Sequence, residues 1–132
     1  MTRIESDTRL ISKTDKQIFD FLSDFNNFEQ LMPDRVTDWK SDKKTCSFTI
    51  SGLASLGMEI IETTPNSFIK TKDYGKVPFN FNLLIYIEKQ GDKSNVNLVF
   101  DANLNTMLKM VAVKPLTNFL NMLLDELEKK EF

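Results

Sequence analysis

Two stretches decide how this chain folds: Phe79–Lys89, FNFNLLIYIEK, and Lys93–Asn103, KSNVNLVFDAN. In the first, Phe79, Phe81, Leu83, Ile85 and Ile87 fall on one side, and Asn80, Asn82, Leu84, Tyr86 and Glu88 on the other. In the second, Val96, Leu98, Phe100 and Ala102 oppose Asn97, Val99, Asp101 and Asn103. A period of two is the signature of a strand with one apolar face, and that face must be covered. The link Gln90-Gly91-Asp92 is short and turn-forming, so the two strands are antiparallel neighbours.

Working backwards, the same period gives strands at Val36–Ser41, Thr45–Ser51, Met58–Thr64 and Ser67–Tyr74. Between them stand Ser41-Asp-Lys-Lys44, the Gly52–Gly57 segment, Thr64-Pro-Asn66 and Gly75-Lys-Val-Pro78. Six strands joined this way form a meander. Thr2–Ser12 reads as a further strand, with Ile4, Ser6, Thr8 and Leu10 on its inner face. Ser6 and Thr8 must then find hydrogen bonds, to backbone or water or as the polar end of a pocket. Thr14 or Asp15 caps a helix that carries Ile18, Phe19, Phe21, Leu22 and Phe25. The Asp24–Phe28 run interrupts it, and a second short helix over Asn27–Met32 stops at Pro33.

Working forwards, Met107, Leu108, Val111, Leu116, Phe119, Leu120, Leu123, Leu124 and Leu127 form a broad apolar stripe at helical spacing. This helix is the natural cover for the sheet. Pro115 inside it either kinks one long helix or starts a second.

The composition bounds what such a fold can do. With 132 residues, 41% hydrophobic and 27% charged, the chain is one domain's worth, 1–132, rather than a disordered tail. It has no histidine and one cysteine, which removes His-based catalysis, His-based zinc sites, internal disulfides and multi-cysteine metal sites. Neither a metal nor a cofactor is implied. A net charge of −2 argues against nucleic acid, and Lys40/Lys43/Lys44 and Lys70/Lys72/Lys76 read as solvated sheet edges. No stretch approaches the ~20 apolar residues of a membrane span, so no stable membrane insertion is expected. The Met1–Asp7 start has no apolar core or cleavage site, which points to a cytoplasmic protein. Cys46 alternates with Phe48 and Ile50 and has no activating partner, so it reads as a buried structural residue.

The order strand, two short helices, six antiparallel strands, long C-terminal helix resembles the START-like helix-grip proteins of the SRPBCC superfamily. Lys13–Asp24 is similar to that family's first helix, Asn27–Pro33 to its short second helix and terminating proline, and Ile61–Ile69 to a turn between its middle strands. The glycine-rich loop of the plant-allergen branch is absent at Gly52–Gly57. The resemblance implies an α+β fold, a seven-stranded antiparallel curved sheet around the C-terminal helix with two short helices between strands one and two. It also implies a cavity there for a small or medium hydrophobic ligand, lipid- or polyketide-like.

Eleven Phe and six Met suit an adaptable apolar lining. The expected lining residues are Phe48, Met58, Phe79, Phe81, Leu83, Phe100, Met107 and Val111, with Met110 beside them and Tyr74 as a donor at the mouth. Access would pass by the Gly52–Gly57 and Gly75–Pro78 loops and by a kink near Pro115. Two alternatives stand beside ligand binding. One is a cyclase-, dehydratase- or hydrolase-like enzyme using the same cavity, for which no acid–base pair and no catalytic residue is evident. The other is an interaction module with a filled core. Leu84, Tyr86 and Val99, adjacent on the outer sheet face, are the expected contacts of a homodimer.

Overall fold

The computed structural model describes residues 1–132. Strands β1 (Thr2–Glu5) and β2 (Arg9–Ile11) lead to helices α1 (Asp15–Leu22) and α2 (Phe25–Phe28) and a 3-10 turn at Glu29–Leu31. Six strands follow: β3 (Val36–Ser41), β4 (Thr45–Ile50), β5 (Ala54–Thr64), β6 (Phe68–Asp73), β7 (Phe81–Gln90) and β8 (Lys93–Ala102). Helix α3 (Thr106–Lys129) closes the chain. The sheet runs β1-β8-β7-β6-β5-β4-β3, antiparallel at every step, so the meander stands and the first strand returns to pair with the last. The fold is α+β, a helix-grip arrangement.

The first strand differs from its sequence reading. Glu5 pairs with Val99 but Arg9 pairs with Val96, so three residues face two and the strand is bulged at 6–8. One extra residue reverses the facing of everything after it. Ile4 is therefore buried, whereas Leu10 is half exposed and Ile11 takes the inner position. Ser6 is buried within the bulge. Its amide donates to the Leu98 carbonyl at 2.9 Å, and its Oγ accepts from the Leu98 amide at 2.8 Å and donates to the Asp7 carbonyl at 2.8 Å. Its needs are met by backbone; Thr8 is exposed.

Local chemistry sets the helix ends. Thr14 and Gln17 form a reciprocal capping box at α1, with bonds of 3.1 and 2.9 Å. Asp24 accepts from the Asn26 amide and starts α2 as its N-cap. Asn105 caps α3 through the Leu108 amide. Helix α3 is continuous through Pro115, which settles the two readings of that proline in favour of one helix.

A second correction concerns Gly52–Gly57. Only Ser51–Leu53 turns; Ala54 already belongs to β5, and Gly57 lies mid-strand opposite Ser47. A Cβ on Gly57 would stand 2.3 Å from the Tyr74 carbonyl oxygen. The glycine is there for close backbone approach, not for a gate.

The core lies between the inner sheet face and α3. Ala112, Leu116, Phe119, Leu120, Leu123, Leu124 and Leu127 supply the helix side. Phe81 stacks on Phe100 at 4.7 Å between ring centres, and Phe48 faces Phe119 at 6.1 Å. Trp39 stacks on Phe48 at 5.3 Å, turned inward by a register shift between Thr37 and Lys40. The C-terminal half of α3 is tied to β2 and to residues around it. Arg9 reaches Asp125 at 2.6 Å and Glu128 at 3.0 Å, and the Asp7 amide donates to Asn121 at 2.9 Å. The carboxylates of Asp125 and Glu128 hold the Arg9 proton more firmly than usual.

Cys46 is buried on the inner face of β4. Burial pushes its thiol pKa up to about 12. A thiol so placed carries almost no thiolate. We expect the folded chain to resist iodoacetamide at about pH 8 and to be modified stoichiometrically once denatured, read by intact mass. Rapid labelling of the folded chain would contradict this placement.

Candidate functional site

The interior that the sequence points to is full. Phe48, Met58, Phe79, Phe81, Leu83 and Phe100 are all buried, but they pack against one another and the helix. The apolar void among Leu22, Phe28, Leu31, Leu83, Ile85, Leu98, Leu123, Leu124 and Leu127 measures about 10 Å³. That is at most the space of one water, and its apolar walls offer a water no partners. An enclosed ligand cavity between sheet and helix is absent, because large side chains meet across the whole interface.

The other expected lining residues lie elsewhere. Met107, Met110 and Val111 are 77%, 82% and 59% exposed, not between sheet and helix. The buried stripe of α3 starts at Ala112 and continues through Leu116, Leu120 and Leu123. On a helix of 3.6 residues per turn, positions 107, 110 and 111 face the opposite way. Tyr74 is half exposed and lines an open surface depression with Asp38, Lys40, Ser47 and Lys76, away from the interior. On the outer sheet face, Leu84 and Val99 pair across strands but are 9% and 3% exposed. Lys70 flanks Leu84 and Glu5 flanks Val99, and long side chains cover apolar neighbours with their stems. The exposed strip expected there reduces to Tyr86, with Phe68 against it at 5.2 Å.

Space of ligand size lies instead along the edge of the grip. A groove of about 450 Å³ runs between α3 and the segment that brings the chain into β3. Pro33, Arg35 and Val36 form one wall, Ile50 lies at the end of β4, and α3 contributes Pro115, Asn118, Phe119, Asn121, Met122 and Asp125. Two backbone bonds fix the wall: the Val36 amide donates to the Pro33 carbonyl at 2.9 Å, and the Ser51 amide to the Arg35 carbonyl at 2.8 Å. The volume falls within the ~300–1,000 Å³ of small-molecule sites.

The charges of the groove are unequal in their engagement. Asp125 is ion-paired with Arg9 at 2.6 Å, and the Asn121 side chain accepts from the Asp7 amide. The Arg35 guanidinium makes no ion pair or hydrogen bond. The groove thus offers apolar walls with one uncompensated positive charge. Apart from Asp125 it holds no carboxylate, and the buried polar side chains of the whole chain are Ser6, Thr71 and Ser94. These groups can bind and orient, but they do not form a general acid–base couple.

Sequence reasoning missed this site for a definable reason. Pro33 reads only as a helix stop, and Asn118, Asn121 and Asp125 read as the polar side of an amphipathic helix. The spacing of 118, 121 and 125 does place them on one face. Nothing in the sequence shows that this face borders the β3 entry rather than open water.

No protein-family model matches the chain, and no curated protein matches it. Solved structures do. A protein from Thermus thermophilus superimposes with a TM-score of 0.79 at 12% identity, over 97% of this chain and 95% of that one. A START superfamily protein from Mycobacterium smegmatis does so with 0.76 at 15% identity, over 96% and 94%. The Aha1 dimer from Colwellia psychrerythraea gives 0.74 at 14% identity, over 98% and 95%. No helix of the chain is long and apolar enough to cross a membrane. At these identities the likeness is one of architecture, it spans nearly the whole chain, and the architecture is the START-type helix-grip fold.

Proposed function

We propose that residues 1–132 act as one START-like domain that binds a small amphipathic ligand, apolar along its body and anionic at one end, in the groove between α3 and the β3 entry. The observation that carries this reading is the pairing of about 450 Å³ of partly apolar space with an Arg35 that nothing in the chain neutralises. Desolvating an apolar body stabilises the complex in proportion to the area buried, roughly 25 cal/mol per Å² before the costs of association. Arg35 sets the orientation by taking an anionic head, which a guanidinium does well. The ligand is a lipid-like acid by this chemistry, held at the edge of the grip rather than inside it.

Calorimetric titration with decanoate and with decanol tests this. Decanoate binds the unmodified chain more tightly than decanol. Arg35→Gln removes that preference, by about tenfold, the scale of one charge-assisted bond. Asn118→Trp, on the exposed side of α3, fills the groove and abolishes binding of both. Equal affinity for the two ligands, or binding that survives Asn118→Trp, would sink the proposal.

The filled interior also favours a second reading, an interaction module whose function lies on its surface. Absence of any binding by either probe, with a protein partner captured through the Arg35–Asp125 groove, would select it.

A further inference from the structure

The bulge at 6–8 has an effect beyond the first strand. Ser6 is held by two bonds to Leu98, at 2.9 and 2.8 Å, which fixes the backbone at the bulge. The next residue is thereby turned out of the ladder, and its amide serves α3 instead: the Asp7 N–H donates to the Asn121 side chain at 2.9 Å. Bulges re-aim groups in this way.

That bond settles how the Asn121 amide is turned. A backbone N–H can only donate, so the atom facing Asp7 is Oδ1, and the amino group Nδ2 is held on the other side. Nδ2 makes no hydrogen bond of its own. Since every buried side-chain nitrogen and oxygen of the chain has a partner, Nδ2 is open to approach. Asn121 lines the groove between α3 and the β3 entry, so its amino group is an oriented, unengaged donor there.

The other polar groups of the groove differ from it. Asp125 is ion-paired with Arg9 at 2.6 Å. The carbonyls of Pro33 and Arg35 already accept from the Val36 and Ser51 amides. Asn118 is exposed and free to turn, so it presents donor or acceptor alike and selects neither. Among the side chains of the groove, only Arg35 and Asn121 offer donors of fixed kind, one charged and one neutral. A hydrocarbon chain laid across Asn121 would strip its amino group of water and return nothing, whereas a carbonyl oxygen returns the bond. A second carboxylate is a poorer match, since Asp125 stands four residues on along the same helix face.

We infer that Asn121 is a specificity-determining residue of this groove and that the ligand is an oxo-acid, with a carboxylate for Arg35 and, along its apolar body, a carbonyl oxygen that accepts from Asn121 Nδ2. The inference rests on the groove as the binding site and adds a second polar point to it.

Calorimetric titration of the full chain with decanoate and with the 4-, 6- and 8-oxodecanoates tests it, the three isomers stepping the carbonyl along the chain. At least one isomer binds about fivefold more tightly than decanoate, the scale of one neutral hydrogen bond. Asn121→Asp keeps the acceptor for the Asp7 amide and exchanges the donor for a second acceptor. Its added charge weakens all four acids alike, but the preference for the oxo isomer disappears. A merely structural role for Asn121 would lower the four affinities together and leave their ratio unchanged. Decanoate binding with no gain from any isomer overturns this inference and leaves the groove reading standing, and so does a gain that Asn121→Asp retains. Failure of all four acids to bind overturns both.

Discussion

Replacing Phe81 with alanine lowers the stability of this chain by about 3–5 kcal/mol, the range for emptying a large aromatic site. Phe81 is 1% exposed, stacks on Phe100 at 4.7 Å and meets Phe79 at 6.0 Å. It sits at the first position of β7, opposite Ala102 of β8. That small cross-strand partner cannot move to fill the hole, so the cavity stays. Urea unfolding measures the loss as a lower midpoint with an unchanged slope. A cost under about 1 kcal/mol would mean that the interior is loose enough to collapse, which contradicts a filled grip.

Gly57→Ala is the second large effect, and it runs against the residue's appearance in the sequence. A single methyl there would meet the Tyr74 carbonyl oxygen at 2.3 Å and the Cys46 carbonyl oxygen at 3.3 Å. Both are backbone atoms, so relief requires that β5 move from its neighbours. The Tyr74 amide bond to the Gly57 carbonyl, 2.9 Å, is strained by the same movement. Overpacking plus a weakened hydrogen bond gives about 2–4 kcal/mol. Gly52→Ala is the control: it has open space around it, although its φ of 81° makes any side chain there strained by its own backbone. Its cost is therefore smaller, about 1 kcal/mol. If thermal melts of the two variants coincide, Gly57 is in a loop after all and the β5 boundary at Ala54 is wrong.

These two residues show what was legible in the sequence. The β7 and β8 pattern gave their pairing, and the register of ten residue pairs follows from the short Gly91-Asp92 turn. Strands β3, β4, β6, β7 and β8 fall within two residues of their sequence boundaries, and the first strand, both short helices and α3 are present. What failed shares one cause. Period-two reasoning assumes that facing is preserved along a strand, and bulges break that assumption. The bulge at 6–8 moves Leu10 outward and Ile11 inward. Gly57 reads as a breaker because glycine usually is one, whereas here the neighbouring strand requires the absence of a side chain.

The site was less legible than the fold. Whether a sheet and a helix leave room between them depends on the sum of side-chain volumes across the interface, and packing at crystal-like density leaves little margin. Six of the nine expected lining residues are interior, but being interior and lining a cavity are different properties. The sequence reading counts Met107 and Val111 into the core stripe of α3, although at 3.6 residues per turn they lie opposite Ala112 and Leu116, and both are exposed. The groove could not be read at all, as it joins residues 33–36 to 115–125, and that proximity is a product of the completed fold.

The measurement that bears most directly on this account is methyl-labelled two-dimensional NMR of the full chain titrated with decanoate. Perturbations centred on Val36, Ile50 and Met122, with the methyls of Leu83, Ile85 and Leu98 unmoved, are the predicted result, since the first three line the groove and the last three surround a void of about 10 Å³. Perturbations centred on Leu83, Ile85 and Leu98 would show that the grip opens to admit the ligand and would contradict a closed interior with its binding site at the edge.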